Sequence, residues 1–293
     1  MQIECVAAAA ASLGEGPLWD GARDVLWWVD IKSPTLHAHH LASGANHAQP
    51  LPYRLTALAL AADADLVGVG DAGFVRLSVG MDLKVSMAQV IAPLTLPPGM
   101  RFNDGKVDAA GRFWAGSMED AEQAARGGLY RLDRPHQVSL VRGHIGVPNG
   151  PCFFADGTML FTDSALGRIT ALTLDAAGDP VTEQLFAQFT PSQGSPDGMT
   201  VDAEDHVWIA FWDGGCLRRL SRTGQLVTEI ALPVQRPTCP AFGGAALDQL
   251  FVTSATTGLS AEQLHRQPLA GGLLRLEPGV SGRPSHVFGG GSS

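Results

Sequence analysis

A short apolar strand recurs along this chain, each copy set between polar turn residues. The copies read LWWVD (Leu26 to Asp30), LVGVG (Leu66 to Gly70), RFWAG (Arg112 to Gly116), MLFTD (Met159 to Asp163), VWIAF (Val207 to Phe211) and LFVTS (Leu250 to Ser254). With Trp28, Gly68, Trp114, Phe161, Trp208 and Phe251 as anchors, the steps are 40, 46, 47, 47 and 43 residues. A strand repeating with a period in the forties predicts propeller blades. After each anchor a second strand alternates apolar and polar residues, as in FVRLSVG from Phe74 and GLYRLDRP from Gly128. Ala-Ser-Gly, Ala-Gly-Asp and Arg-Thr-Gly supply the hairpin turns. The expected class is all-β, a six-bladed β-propeller with four-stranded antiparallel blades.

No ten-residue stretch carries a helical period. Met118 to Gly127 and Ser260 to Gln267 are each expected to hold at most a short helical turn. The early strand near Ile3 to Ala9 has no hairpin partner of its own. It is expected to pair with the last blade, with a strand near His286 to Phe288 beside it. No linker-like stretch interrupts the chain, so residues 1–293 are read as one domain with a flexible tail from about 289 to 293.

Composition narrows the function. The formal net charge of −9 argues against a nucleic-acid partner, because phosphate binding needs a basic surface. No apolar run approaches the ~20 residues that span a bilayer. The alanine-rich start lacks a basic segment and carries Glu4, so IECVAAA reads as a strand rather than a signal peptide. Cys5, Cys152, Cys216 and Cys239 form no CxxC pair, which favours buried thiols in a reducing cytoplasm over a disulfide framework.

The chemistry lies in four segments that share one register. Glu15 stands 13 residues before Trp28, Asn103 11 before Trp114, Asn149 12 before Phe161 and Asp197 11 before Trp208. Equivalent positions on successive blades are expected to meet near one axis. Each of these side chains is followed by Gly at once or within one residue, so each taken alone reads as a turn. The concentration of carboxylates and amides in one register is what a turn does not predict. Thr56 and Cys239 hold the register in the other two blades. Two carboxylates and an amide oxygen form a hard donor set for one divalent cation, suited to Ca, Mg or Mn and tolerable to Zn or Fe(II). Three protein donors leave room for water and substrate, as a catalytic metal requires. Asp104 is expected to cap the turn beneath Asn103.

The segments LGEGPLWD, RFNDGKVDAAGRFWAGSM, NGP and SPDGMTVD, with VWIAFW downstream, resemble the SMP-30/gluconolactonase/regucalcin-like family. AFGGAALDQLFVTSATTGLS looks like its bacterial sugar-lactonase branch. The resemblance implies a six-bladed propeller that hydrolyses aldonolactones with one divalent metal. By motif match it places the metal ligands on Glu15, Asn149 and Asp197, the substrate contacts on Arg101 and Asn103, and the catalytic acid/base on Asp197. A further substrate-contacting Glu of some members finds no clear match in GSMEDAEQ, where Glu119 and Glu122 are out of register.

The reaction these parts imply is opening of a five- or six-carbon sugar lactone, the small-molecule partner, to its aldonic acid. The cation would polarise the carbonyl. Asp197 would move the proton from the attacking water to the ring oxygen. A hydroxide carried by the metal, steered by Asp197, fits the same residues. A propeller hydrolase for other esters or organophosphates and a non-catalytic metal-binding propeller are the rival readings. A monomer or weak oligomer in the cytoplasm is expected.

Other signals carry less. Gly68, Gly70 and Gly73 form GxGxxG, but a strand follows rather than a helix. His37, His39, His40 and His47 read as solvated histidines of an outer strand. The six tryptophans read as packing residues, with Trp19 and Trp212 nearest the channel mouth.

Overall fold

The anchor segments are buried on both faces, which is why they read as unbroken apolar runs: Val25–Asp30, Leu66–Gly70 and Met159–Asp163 contain no exposed residue. The last strands are the opposite, and Ala45–Pro50 and Leu226–Ala231 are almost wholly exposed. The computed structural model describes residues 1–62 and 65–290. Strand β1 (Ile3–Ala7) is followed by blade 1, made of β2 (Gly14–Asp20), β3 (Val25–Asp30), β4 (Thr35–His40) and β5 (Ala45–Pro50). Blade 2 is β6 (Leu55–Ala61), β7 (Leu66–Gly70), β8 (Gly73–Val79) and β9 (Val85–Pro93). Blade 3 is β10 (Met100–Val107), β11 (Phe113–Glu119), β12 (Gly127–Arg134) and β13 (Gln137–Ile145). Blade 4 is β14 (Pro148–Phe153), β15 (Met159–Asp163), β16 (Arg168–Leu174) and β17 (Pro180–Gln188). Blade 5 is β18 (Ser195–Val201), β19 (Val207–Trp212), β20 (Cys216–Leu220) and β21 (Leu226–Ala231). Blade 6 has β22 (Pro237–Gly243), β23 (Gln249–Ser254) and β24 (Leu273–Leu276), and β1 completes it. The class is all-β with six blades, each built on four antiparallel strands, and the sheet of blade 2 carries a short fifth strand at Val287–Phe288.

Two compact units make up the chain. Residues Met1–Leu51 and Phe189–Pro284 hold blades 1, 5 and 6, and the remainder, from Pro52 to Gln188 and from Ser285 onward, holds blades 2, 3 and 4. In the first unit β2 and β18 both pack against β22. In the second, β6 and β14 both pack against β10. Aromatic side chains fill the spaces between blades. Phe74 meets Phe102 and Phe113 edge-on, with ring centroids 5.7 and 5.5 Å apart. Trp19, Trp28 and Phe251 form a cluster in the first unit, and Trp114 and Phe161 one in the second. Removing one such buried ring costs about 3–5 kcal/mol.

The turn joining the first and second strands of a blade is locked in three blades by the same device. The indole of Trp27 donates to Asp20 at 3.3 Å, that of Trp114 to Asp108 at 2.8 Å and that of Trp208 to Asp202 at 2.9 Å. Each carboxylate also holds a guanidinium, from Arg23, Arg112 and Arg219 respectively. The tight turns before the anchors (Asp-Ala-Ala-Gly-Arg, Asp-Ala-Glu-Asp-His) are therefore ion-paired anchors for a buried tryptophan.

Two expectations need correction. β1 does pair with β24, Ile3 opposite Leu276, but the C-terminal strand β25 (Val287–Phe288) does not lie beside it. It pairs in parallel with Leu60 and Ala61 of β6, where Phe288 enters the blade 2–3 core. Residues 118–127 form no helical turn, because Glu119 takes the backbone N–H groups of Gln123 and Ala124 into a loop instead. The second segment does hold a helix, α1 (Ala261–Arg266), capped by Ser260 and Gln263 in a reciprocal capping box. Of the expected tail, Gly289 and Gly290 are placed by hydrogen bonds to Gly111 and Val287, and residues 291–293 lie outside the described residues.

Candidate active site

The first strand of every blade carries a bulge at the register found in the sequence. Pairing shifts between Glu15 and Leu18, Leu55 and Ala57, Phe102 and Gly105, Asn149 and Cys152, Pro196 and Met199, and Pro237 and Pro240. Glu15, Thr56, Asn103, Asn149, Asp197 and Cys239 therefore stand at or within equivalent irregularities. Each polar segment taken alone reads as a turn, but all four lie inside strands. A bulge inserts an extra residue, twists the strand and re-aims a side chain, which lets a carboxylate or amide leave the normal alternation. The glycines serve the bulges. Gly150 has φ 74°, open to glycine at little cost. Gly198 lies so close to blade 6 that a Cβ there would sit 2.5 Å from the Cys239 sulfur.

In the second unit the predicted residues join in one chain of hydrogen bonds. Arg101, Asn103, Asp104 and Asn149 are between 3% and 5% exposed, so water cannot replace these bonds. Arg101 donates from one Nη to Asn103 Oδ1 at 2.5 Å and to the Phe102 carbonyl at 3.0 Å. Asn103 Nδ2 donates to Asn149 Oδ1 at 2.7 Å and to the Pro148 carbonyl at 2.9 Å. Asn149 Nδ2 donates in turn to Ser164 Oγ at 3.0 Å. Asp104 does more than cap its own turn. Its carboxylate accepts from Gly105 N at 2.7 Å and from Gly150 N at 3.0 Å, tying the bulge of blade 3 to that of blade 4. Burial pushes its pKa up to about 6, against the Lys106 charge and these two N–H groups.

In the first unit Glu15 and Asp197 are 4% and 5% exposed, and their strands flank β22 on either side. Glu15 accepts from Gly16 N at 3.2 Å. Between them Thr238 donates to the Gly14 carbonyl at 2.5 Å and bonds Thr253 at 2.8 Å, which fixes β22 beside the Glu15 bulge. Cys239, fully buried, fills the matching position in blade 6.

Sequence reasoning missed Asp120. Glu119 is committed to its own loop and to Arg126, and Glu122 is exposed. Asp120 instead faces Arg101, taking its Nε at 2.9 Å and Arg54 Nη1 at 2.8 Å. Burial alone would raise its pKa, but the Arg54 hydrogen bond and the charges of Arg101 and Arg54 hold it below the usual aspartate value. The pairing with Arg54 joins residues 66 apart, which no local motif shows.

Other expectations change as well. Trp19 sits in the core, opposite Leu26 and directly after Leu18, where the bulge ends, whereas Trp212 ends β19 with the Arg236 guanidinium 4.8 Å from its ring centroid. His37 and His39 are drawn inward: His37 is half-buried and stacks on Trp28 at 3.9 Å, and His39 is buried and bonds Asn46 at 3.0 Å. Gly68 to Gly73 is a hairpin, as expected. No cysteine is in a disulfide, and burial pushes the Cys152 thiol up to about 12.

Two carboxylates and an amide oxygen, all buried, are the chemistry of a hard divalent cation site. The Ser164 bond turns the Asn149 amide so that its oxygen is the acceptor face. The residues thus fit a cation by donor type. Among the described residues no three histidine, cysteine, aspartate or glutamate side chains gather as a metal cluster. No described helix is long and apolar enough to cross a membrane.

Known proteins resemble the chain along nearly its whole length. It is 34% identical to the 6-deoxy-6-sulfogluconolactonase of Pseudomonas putida, over 98% of this chain and 99% of that one. It is 32% identical to a pentonolactonase of Haloferax volcanii, over 97% of each. The crystal structure of a calcium-binding protein, regucalcin, from Agrobacterium tumefaciens superposes with a TM-score of 0.90 at 31% identity, covering 97% of this chain and 96% of that one. The model of the SMP-30/gluconolactonase/LRE-like region matches residues 13–256, and the chain belongs to that family.

Proposed function

We propose that the protein hydrolyses a sugar lactone to the aldonic acid with the aid of one divalent cation. One observation carries this reading: the same first-strand irregularity presents Glu, Asn, Asn and Asp in four blades, each side chain buried at 4–5% exposure. Burying four hydrogen-bonding groups in one repeated position costs free energy that apolar residues there would not. The names of the relatives, a sulfogluconolactonase and a pentonolactonase, support the substrate class, and the calcium-binding regucalcin supports a cation.

Glu15, Asn149 and Asp197 are the proposed donors to that cation, whose contribution when bound is Lewis-acid polarisation of the lactone carbonyl. Arg101 and Asn103 bind the sugar. Their side chains are pre-set by the bonds between them, so little freedom is lost when the substrate arrives. Asp197 holds the proton taken from water and returns it to the ring oxygen as the ester bond breaks.

The test is a panel of five- and six-carbon aldonolactones assayed after chelation and after adding back single divalent cations. Turnover that vanishes with the chelator and returns with a cation is expected. Phosphotriester hydrolysis without lactone hydrolysis, or cation binding without turnover of any lactone, would overturn the proposal.

A further inference from the structure

Arg101 is 4% exposed, so its positive charge is poorly screened by water. It does not stand alone. Asp120 takes its Nε at 2.9 Å through one oxygen and Arg54 Nη1 at 2.8 Å through the other. Arg54 Nε pairs with Asp71 at 2.9 Å, and its backbone N–H donates to the same carboxylate at 3.0 Å. Two guanidinium groups and two carboxylates make a cluster with no net charge, in the second unit and spanning blades 2 and 3. The Asp120 side chain is 40% exposed, so this carboxylate presents its edge to solvent.

Resting on the lactonase reading, we propose that Asp120 makes the enzyme select an uncharged polyol lactone over an anionic one. Each Asp120 oxygen uses one lone pair on a guanidinium and keeps another to accept a sugar hydroxyl. Arg101 donates beside it. A neutral sugar finds donor and acceptor side by side. A sulfonate, phosphate or carboxylate substituent meets an exposed carboxylate and a guanidinium whose charge is already matched. Discrimination thus includes a repulsive element as well as an attractive one.

Two variants move the cluster's charge in opposite directions. Asp120→Asn leaves it positive, and Arg54→Gln leaves it negative. The probes are an uncharged six-carbon aldonolactone and the same lactone bearing a sulfonate on carbon 6. In Asp120→Asn, kcat/KM for the uncharged lactone falls about tenfold, mostly through KM, and the anionic-to-uncharged ratio rises about tenfold, the order expected for one unit charge ~6 Å away at a partly exposed site. In Arg54→Gln the ratio falls. Loss of folding cannot shift the ratio both ways. Should the Asn variant not fold, the fall in ratio for Arg54→Gln decides alone. Equal changes on both substrates, or an unchanged ratio, overturn the role of Asp120 while lactone hydrolysis stands. A parent enzyme inert toward both lactones ends the lactonase reading and this selection with it.

Discussion

Asn103 spends both hydrogens of its amide on its neighbours in blade 4, the Asn149 oxygen at 2.7 Å and the Pro148 carbonyl at 2.9 Å. The Asn149 amide is thereby gripped from both ends, by Asn103 and by Ser164. Asn103→Asp keeps the shape and removes the donors, leaving a carboxylate facing two buried acceptors. The fold is expected to lose about 2–4 kcal/mol, since each unmet buried group costs ~1–3 kcal/mol. Urea unfolding measures this. An unchanged urea midpoint refutes the gripping role.

Asp197→Asn retains an oxygen but not the carboxylate charge. If Asp197 is the acid/base, lactone turnover drops by about 10²–10⁴. Steady-state kinetics checks this, with circular dichroism as the control for folding. Activity within a fewfold of the parent removes Asp197 from the role.

His37 gives stability a pH dependence. Burial lowers its pKa from 6.5 to about 4, partly offset by Asp30. Below pH 6.5 the unfolded chain takes up a proton that the folded protein refuses until about pH 4. The unfolded state binds more protons, so stability falls as the pH drops through that window. His37→Phe keeps the stack on Trp28 and removes the titration. Its urea midpoint should fall less than the parent's between pH 7 and pH 4.5, and parallel declines would contradict the assignment.

Asp202 is fully buried and holds Trp208, Arg219 and the N–H groups of Glu204 and His206. Asp202→Ala strands the Trp208 indole N–H and leaves the Arg219 guanidinium with Glu204 as its one remaining carboxylate. A loss of about 3–5 kcal/mol is expected, read from thermal or urea unfolding. A loss under ~1 kcal/mol would show that water replaces the carboxylate.

The anchors were legible because a strand buried on both faces, such as Val25–Asp30, has little choice but continuous apolar residues. The register of Glu15, Asn103, Asn149 and Asp197 was legible for a related reason: a repeated fold repeats its irregularities, and the six bulges keep nearly constant distance from the anchors. The bulges themselves were not, since a glycine beside a polar residue looks the same in a turn and in a kinked strand. Asp120 was hidden because its partners depend on how blades 2 and 3 pack, not on local sequence. Phe288 misled through proximity in the chain. Its apolar side chain is better buried in the blade 2–3 core than beside β1, which already has β24.

Blade 6 takes one of its four strands from the first seven residues and the other three from beyond residue 236. The amino terminus is thus a structural part rather than a loose end. Trimming it would bare the β24 edge next to Leu273, Leu274 and Leu276, an invitation to borrow the missing strand from another copy of the chain.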